Sequence, residues 1–425
     1  MVKPSETSIK IASNTIYQIV GKVVSMTITI IATVLVVRMY GREFYGEFNL
    51  MQTFPALFFI IVDFGFNAIA TRELSGNWEK VEKYLGNILL LRVGLALLVM
   101  TLSGIALIFF PYAAGLKFGI YLSLFLILTQ ALYATTNVVF QVKLRYDLST
   151  IGYVTGSIII FLSVLLLTYF RAPVMWVNFS YVVGGLVTFV INVFYIKRLG
   201  VRVKFAYDKD LVRFLFIQSL PLGLMFIFSQ VNFKVDSIFI SILNLPARYG
   251  LNNTESVGVY GLPYKVFEVS LVVPTFFMNA AYPVLVRHMN ESRERLKETF
   301  FKVITALSVG GIIFGLIGIV IAPLIIRLLG GEPFSQSVPV LRVLLGGLVL
   351  FYSTQPISWL IVTLGGQKYL PLVYFVSAVF NIVANLLVIP LYSFYGSSVI
   401  TLLSEVIILI LLVYFARKVW KQKYA

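Results

Sequence analysis

Two stretches of this chain place the same polar residues inside apolar surroundings. Residues 18–25 read QIVGKVVS and residues 230–237 read QVNFKVDS. Gln18, Lys22 and Ser25 are spaced i, i+4, i+7, so on a helix they share one face, and Asn14 extends that face by a turn. Gln230, Lys234 and Ser237 repeat the pattern 212 residues later. A face of this kind presents an ammonium group, which binds anions as a point charge, flanked by amide and hydroxyl hydrogen-bonding groups. Lys265 adds a third intramembrane cation, three residues before Glu268, with which it can pair on one helix face. Asp63, Asp236, Glu268 and Glu405 are acids within apolar runs and candidates for ion coupling or gating. A charge at the centre of a span costs at least about 2.5–3.5 kcal/mol, so such groups ordinarily face a bundle interior or a wet cavity. The plainer alternatives are polar packing within each half and, for Lys265 and Glu268, an internal salt bridge.

The elements that carry these residues are apolar helices. Of 425 residues, 59% are hydrophobic and only 12% charged, and the mean hydropathy is +0.92. Soluble domains carry about 25% charged residues. Runs of about 20 apolar residues, enough to cross a bilayer, recur along the chain. They fall near 11–37, 44–70, 86–110, 118–141, 150–169 and 174–196, then near 214–243, 258–286, 301–328, 338–364, 370–390 and 396–416. No strand-like alternation competes, so the expected fold is an all-α polytopic membrane protein with about twelve transmembrane helices. The first run has full spanning length after a short polar leader and is expected to act as its own insertion signal.

The offset of 212 continues past the lysines. Gly46, Phe48 and Leu50 stand against Gly258, Tyr260 and Leu262. An internal duplication follows: two six-helix lobes, residues 1–200 and 201–425. An even helix number makes the repeat parallel, with a pseudo-twofold along the membrane normal. Helices 1 and 7 would then face one another across a cavity.

Charge sets the expected orientation. The chain holds 34 Lys and Arg against 18 Asp and Glu, a formal net charge of +16. With the N-terminus inside, the inner segments carry 23 basic residues, including clusters at Lys197–Arg213 and Arg287–Lys302, and the outer segments carry 6. The positive-inside rule places both termini in the cytoplasm of a multi-pass cell-membrane protein. It accounts for the basic excess without a nucleic-acid partner. Arg92 and Arg342 lie near expected helix ends and read as snorkelling side chains. There is no cysteine and one histidine, His288, so neither a disulfide nor a cysteine–histidine metal site is expected. No nucleotide-binding Gly-x4-Gly-Lys-Ser/Thr motif occurs.

The segment LVVRMYGREFYGEF followed by VDFGFNAIATREL resembles the N-terminal lobe of polysaccharide flippases, which belong to the multidrug/oligosaccharidyl-lipid/polysaccharide (MOP) exporter superfamily. Gly46, Asp63, Gly65, Arg72 and Glu73 carry the likeness. Residues 365–405 resemble the eleventh and twelfth helices of that family through Gly366, Lys368, Asn381, Asn385, Pro390, Gly396, Ser404 and Glu405. The stretch Gly396-Ser397-Ser398 is only close to the family pattern. The resemblance implies a MATE-like fold and a flippase, not an enzyme. Its implied substrate is a polyprenyl-diphosphate-linked oligosaccharide, a polysaccharide or O-antigen repeat unit, moved from the inner to the outer leaflet by alternating access. The implied partners are that lipid, the surrounding membrane lipids and a polysaccharide polymerase or other assembly protein. No cofactor is expected beyond a coupling proton or sodium ion. A lipid II flippase or a multidrug or cation antiporter of the same superfamily is the nearest alternative. A membrane glycosyltransferase or polymerase is more remote, because no large extramembrane loop is present. Tyr260 and Tyr264 offer ring faces to a sugar, with core packing as the competing reading. Pro221, Pro263, Pro274, Pro283 and Pro356 are expected to bend their helices. Gly311 and Gly315 are expected to admit close helix contact.

Overall fold

A computed structural model describes the backbone of residues 6–424 and the side chains of residues 17–424. Among the described residues every regular element is helical. Ten stretches are long and apolar enough to cross a membrane, two of them 58 residues long. At 1.5 Å per residue an unbroken helix of that length would reach about 87 Å, twice the full thickness of a bilayer. Both are broken. Helix α1 (Glu6–Asp63) is interrupted at Gly41, whose φ of 74° and ψ of −175° only glycine adopts readily. Helix α14 (Leu370–Tyr424) is interrupted at Ser393, with φ 51° and ψ −143°. Counting each broken stretch as two crossings gives the twelve read from hydropathy. The protein is an all-α, multi-pass membrane protein.

The remaining spans are α2 (Phe66–Leu74, continuing the second crossing), α3 (Val81–Ile108), α4 (Ala114–Ser123) with α5 (Phe125–Lys143), α6 (Tyr146–Tyr169) and α7 (Val174–Arg198). They are followed by α8 (Lys209–Ile242), α9 (Asn253–Ser270) with α10 (Val272–Glu291), α11 (Arg293–Leu329), and α12 (Ser337–Gly346) with α13 (Leu348–Thr363). At Leu124, Leu271 and Gly347 the backbone keeps right-handed helical angles, so each pair of helices forms one crossing. The second crossing differs. Phe64 and Gly65 both have positive φ, 45° and 76°, and they end α1 at Asp63. The helices continue through Pro221, Pro263, Pro283 and Pro356, and Pro274 sits in the first turn of α10.

The chain forms two compact units. The first comprises Met1–Tyr40 with Leu50–Gly223, the second Gly41–Asn49 with Leu224–Ala425. In the first unit α5 packs against α3 and α7, and α6 against α7. The linker before α8 lies along the start of α3: Asn87 accepts from the Asp208 backbone N–H at 2.7 Å, and Lys83 pairs with Asp208 at 2.5 Å. In the second unit α11 presents large apolar side chains outward, among them Phe314, Leu316, Val320 and Leu324. The middle of its inner face is built of small residues, Gly311, Gly315, Gly318 and Ala322. A Cβ on Gly311 would lie 2.8 Å from the Val349 Cα, and one on Gly315 2.7 Å from the Leu345 carbonyl oxygen. That is the close contact expected of this pair, which brings backbones together where lipid offers no hydrophobic driving force.

Within the second unit the segment 41–49 crosses α9 at two glycines. A Cβ on Gly46 would lie 1.9 Å from the Thr254 carbonyl oxygen, and one on Gly258 2.1 Å from that of Arg42. The contact is reciprocal under the repeat offset, since 42 and 254 are themselves 212 apart. Each glycine meets the carbonyl four residues before the other, so the two segments approach backbone to backbone. Arg42 and Glu255 close the crossing with a 2.7 Å ion pair.

One expectation is overturned. Arg92 does not snorkel from a helix end: it is completely buried. Its guanidinium donates to the Asp63 carboxylate at 2.6 Å, to the Asp63 carbonyl at 3.3 Å and to the Thr135 hydroxyl at 3.3 Å. The helix break at Phe64–Gly65 explains this, because it leaves Asp63 at a helix end with both its carboxylate and its carbonyl turned to a donor. Arg342, by contrast, is exposed and reaches the Ile319 carbonyl at 3.2 Å, as a snorkelling side chain does.

Candidate functional site

Helix α8 carries two polar faces. Gln230, Lys234 and Ser237 lie on one. Asn232 and Asp236, each two positions from Lys234, lie about 200° around the axis on the other. The two faces meet different partners.

On the first face Lys234 donates to Glu268 on α9 at 2.5 Å, and Lys265 stands 3.8 Å from the other oxygen of the same carboxylate. One acid thus sits between two ammonium groups, leaving a net single positive charge. The trio is not sealed off: side-chain exposure is 21% for Lys234, 41% for Lys265 and 28% for Glu268. Lys234 is therefore not the unpaired cation its sequence position suggested. The pairing of Lys265 with Glu268 follows from their spacing; that of Lys234 with Glu268 joins two helices. Gln230 is half-buried and Ser237 nearly buried.

The second face is sunk into the interior of the second unit. Asp236 is 1% exposed. Its carboxylate accepts from the Tyr260 hydroxyl at 2.7 Å, the Thr401 hydroxyl at 3.1 Å and the Asn385 amide at 3.4 Å. Asn385 also donates to Asn381 at 3.1 Å, and Asn381 to Ser404 at 3.1 Å. Ser377 donates to Asn232 at 3.2 Å and closes the chain onto α8. Every donor to Asp236 is neutral. The Asn385 side-chain oxygen is buried beside this network without a hydrogen-bond partner among the described residues. Unmatched buried oxygens call for a further group, a water or an ion. A buried carboxylate among neutral oxygens suits a proton or a hard monovalent cation. No set of three or more His, Cys, Asp or Glu suited to a metal occurs among the described residues. Glu405, also buried, accepts from the Thr354 hydroxyl and borders a small cavity lined by Asn232, Phe351, Tyr374, Thr401 and Ser404.

Tyr260 and Tyr264 are buried, with ring centroids 5.2 Å apart, and pack in the core. Tyr260, Tyr264 and Glu268 fall i, i+4, i+8 along α9, so one stripe carries both the hydroxyl bonded to Asp236 and the carboxylate bonded to Lys234. In the first unit Lys22 lies on an exposed part of α1 and makes no ion pair among the described residues. Ser25, a turn away, is fully buried and accepts from Ser157 on α6 at 3.0 Å. Gln18 is half-buried. Asn14 lies outside the residues whose side chains are described. Asp63 belongs with Arg92. The structure thus brings Lys234, Lys265 and Glu268 together, sets Asp236 and Glu405 against a shared group of Asn232, Thr401 and Ser404, and pairs Asp63 with Arg92. Sequence reasoning passed over Thr401 and gave Asn381 and Asn385 no chemical role. Their signal was the polar stripes 377/381/385 and 397/401/405 along apolar α14.

Residues 11–289 match the family of polysaccharide biosynthesis proteins, about two-thirds of the chain. The chain belongs to that family. No curated protein sequence matches it. Among solved structures it resembles the lipid II flippase MurJ in an inward closed conformation, at 16% identity and a TM-score of 0.72, covering 96% of this chain and 89% of that one. It also resembles an inward-facing multidrug resistance MATE transporter of the MOP superfamily, at 13% identity and a TM-score of 0.76, covering 94% and 96%. A MOP superfamily transporter from Pyrococcus furiosus, whose binding pocket is described as having reversed polarity, matches at 13% identity and a TM-score of 0.63, covering 98% and 96%. At these identities the likeness is one of fold. This member of the polysaccharide biosynthesis family shares its fold with those solved structures, which are a flippase and transporters.

Proposed function

We propose that the protein is a flippase that carries a polyprenyl-diphosphate-linked oligosaccharide from the cytoplasmic to the outer leaflet of the cell membrane, rather than an enzyme. The observation that carries this reading is the Lys234–Glu268–Lys265 cluster: a partly exposed, net positive group within apolar helices, in a chain of the polysaccharide biosynthesis family. The diphosphate approaches the two ammonium groups and competes with Glu268. Lys22, at the equivalent position of the first half, supplies a cation with no carboxylate to displace. Gln18 and Gln230, half-buried on the same two helical faces as the lysines, serve the sugars. The lobes 1–200 and 201–425 alternate access to the two sides.

Asp236 serves coupling. A proton or sodium ion held by its carboxylate, with the Asn385 and Thr401 oxygens, links ion entry to the packing of α8, α9 and α14. Glu405 has the same potential role. The charge bias puts both termini in the cytoplasm, so a polymerase or other assembly partner meets the product on the opposite face of the membrane, after transfer. The test is reconstitution in liposomes with a labelled lipid-linked oligosaccharide, scored by accessibility in the outer leaflet. Wild-type protein should expose the substrate, and Asp236→Asn should remove its dependence on an ion gradient. Transport of lipid II alone would move the protein to the neighbouring substrate class.

A further inference from the structure

The second unit has a groove between the first turns of α11 and the end of α14, with a cavity volume of about 640 Å³. That is the size of a site for a substantial ligand. Its rim and its walls differ sharply. Arg293 and Lys297 on α11, with Arg417 and Lys421 on α14, form the rim. Phe300 and Ile304, Ile357 and Leu360, and Val413 form the walls.

The order of these residues along the helices is informative. α11 runs from Arg293 and Lys297 to Phe300 and Ile304, while antiparallel α14 ends through Val413, Arg417 and Lys421. Cations therefore stand at one level and apolar side chains at the next. From Arg293 to Ile304 the helix rises about 16 Å, roughly the depth of one hydrocarbon leaflet. The neighbouring charges are already neutralised, Arg295 by Glu291 at 2.5 Å and Lys302 by Glu298 at 2.6 Å. The four rim cations make no ion pair among the described residues, and Glu294 is the one acid on the rim. The Arg293 guanidinium lies 5.6 Å from the Tyr424 ring, which ties the start of α11 to the end of α14 and fixes the rim.

We propose that this groove holds an anionic glycerophospholipid of the bulk membrane, its phosphate among Arg293, Lys297, Arg417 and Lys421 and one acyl chain along Phe300, Ile304 and Val413. Basic pockets between transmembrane helices bind acidic headgroups in this manner. The floor argues for a resident lipid rather than a transported one. Ile357 and Ala416 belong to a buried apolar cluster with Ile361, Ile408 and Leu412, which closes the groove. It stands apart from the Lys234–Glu268 trio, and the assignment does not depend on what is transported. By the charge bias its leaflet is the cytoplasmic one.

Thermal unfolding of the full-length protein in detergent tests this, with added phosphatidylglycerol, phosphatidylcholine, polyprenyl phosphate or inorganic phosphate. A ligand that binds only the native state raises the midpoint. Phosphatidylglycerol should raise it well above phosphatidylcholine, and free phosphate should not. Arg417→Gln/Lys421→Gln should lower phosphatidylglycerol affinity at least tenfold while leaving the lipid-free midpoint unchanged. Lys302→Gln, which removes a paired cation outside the groove, should keep the response. Native mass spectrometry of the wild type, counting retained phosphatidylglycerol, provides a second readout should the double variant fold poorly. Equal responses to the two phospholipids, an undiminished response in the double variant, or displacement of phosphatidylglycerol by polyprenyl phosphate would each overturn the assignment.

Discussion

Lys234 and Glu268 lie 34 residues apart on neighbouring helices, yet their charged groups stand 2.5 Å apart. The position equivalent to Glu268 in the first half is Ala56, so the duplicated lysines are not equivalent in charge. Lys22 has no repeat-related carboxylate, whereas Lys234 shares one with Lys265. Lys234→Ala should leave Glu268 with a single cation at 3.8 Å. Because both partners are partly exposed, the expected loss is about 1–3 kcal/mol rather than that of a sealed pair. A double-mutant cycle with Glu268→Ala in thermal unfolding measures the coupling. Additive effects would mean the pair contributes nothing.

Glu268→Gln should act in the opposite sense on ligand. It frees two ammonium groups, so affinity for a polyprenyl-diphosphate lipid should rise several-fold while turnover falls, since release becomes slower. Binding and transport measured on the same preparation separate the two. Weaker binding in this variant would show that Glu268 is itself a ligand group.

In the Arg92–Asp63 pair the guanidinium is completely buried, whereas the Asp63 side chain is 27% exposed. Asp63→Asn leaves a sealed guanidinium without its counter-charge and should cost about 3–5 kcal/mol. Arg92→Met removes that cation, keeps apolar bulk in its place and leaves a carboxylate that water can reach, so it should cost less. Thermal unfolding ranks them, and a larger loss for Arg92→Met than for Asp63→Asn would contradict the burial of the guanidinium.

Gly46→Ala places a methyl group 1.9 Å from the Thr254 carbonyl oxygen, and Gly258→Ala one 2.1 Å from that of Arg42. Each should lose about 1–3 kcal/mol by overpacking. Gly94→Ala on α3, with open space at the same site, should be neutral or slightly stabilising. Equal midpoints for all three would remove the reciprocal crossing.

These predictions also mark what was legible in the sequence. Hydropathy gave twelve crossings because lipid forces every span to be long, apolar and helical. It could not show that single residues, Gly41 and Ser393, interrupt the two longest helical stretches. The Lys265–Glu268 pairing was readable from i, i+3 spacing. Lys234–Glu268 and Asp63–Arg92 were not, since each depends on which helices are neighbours and at what depth. For Arg92 that depth is set by the break at Phe64–Gly65. The Asp236 network showed only as polar stripes on α14, because its partners come from three helices. The glycine match at 46 and 258 was readable as a repeat, but not as a contact.

The central claim is that duplicated cations bind a lipid-linked diphosphate during flipping. Its most direct measurement is the initial rate at which reconstituted protein exposes a labelled polyprenyl-diphosphate oligosaccharide in the outer leaflet, at matched incorporation. Lys22→Ala and Lys234→Ala should each slow it at least tenfold, the arginine variants should retain partial activity, and the glutamate variants should be slowest. Wild-type rates in both alanine variants would contradict the account.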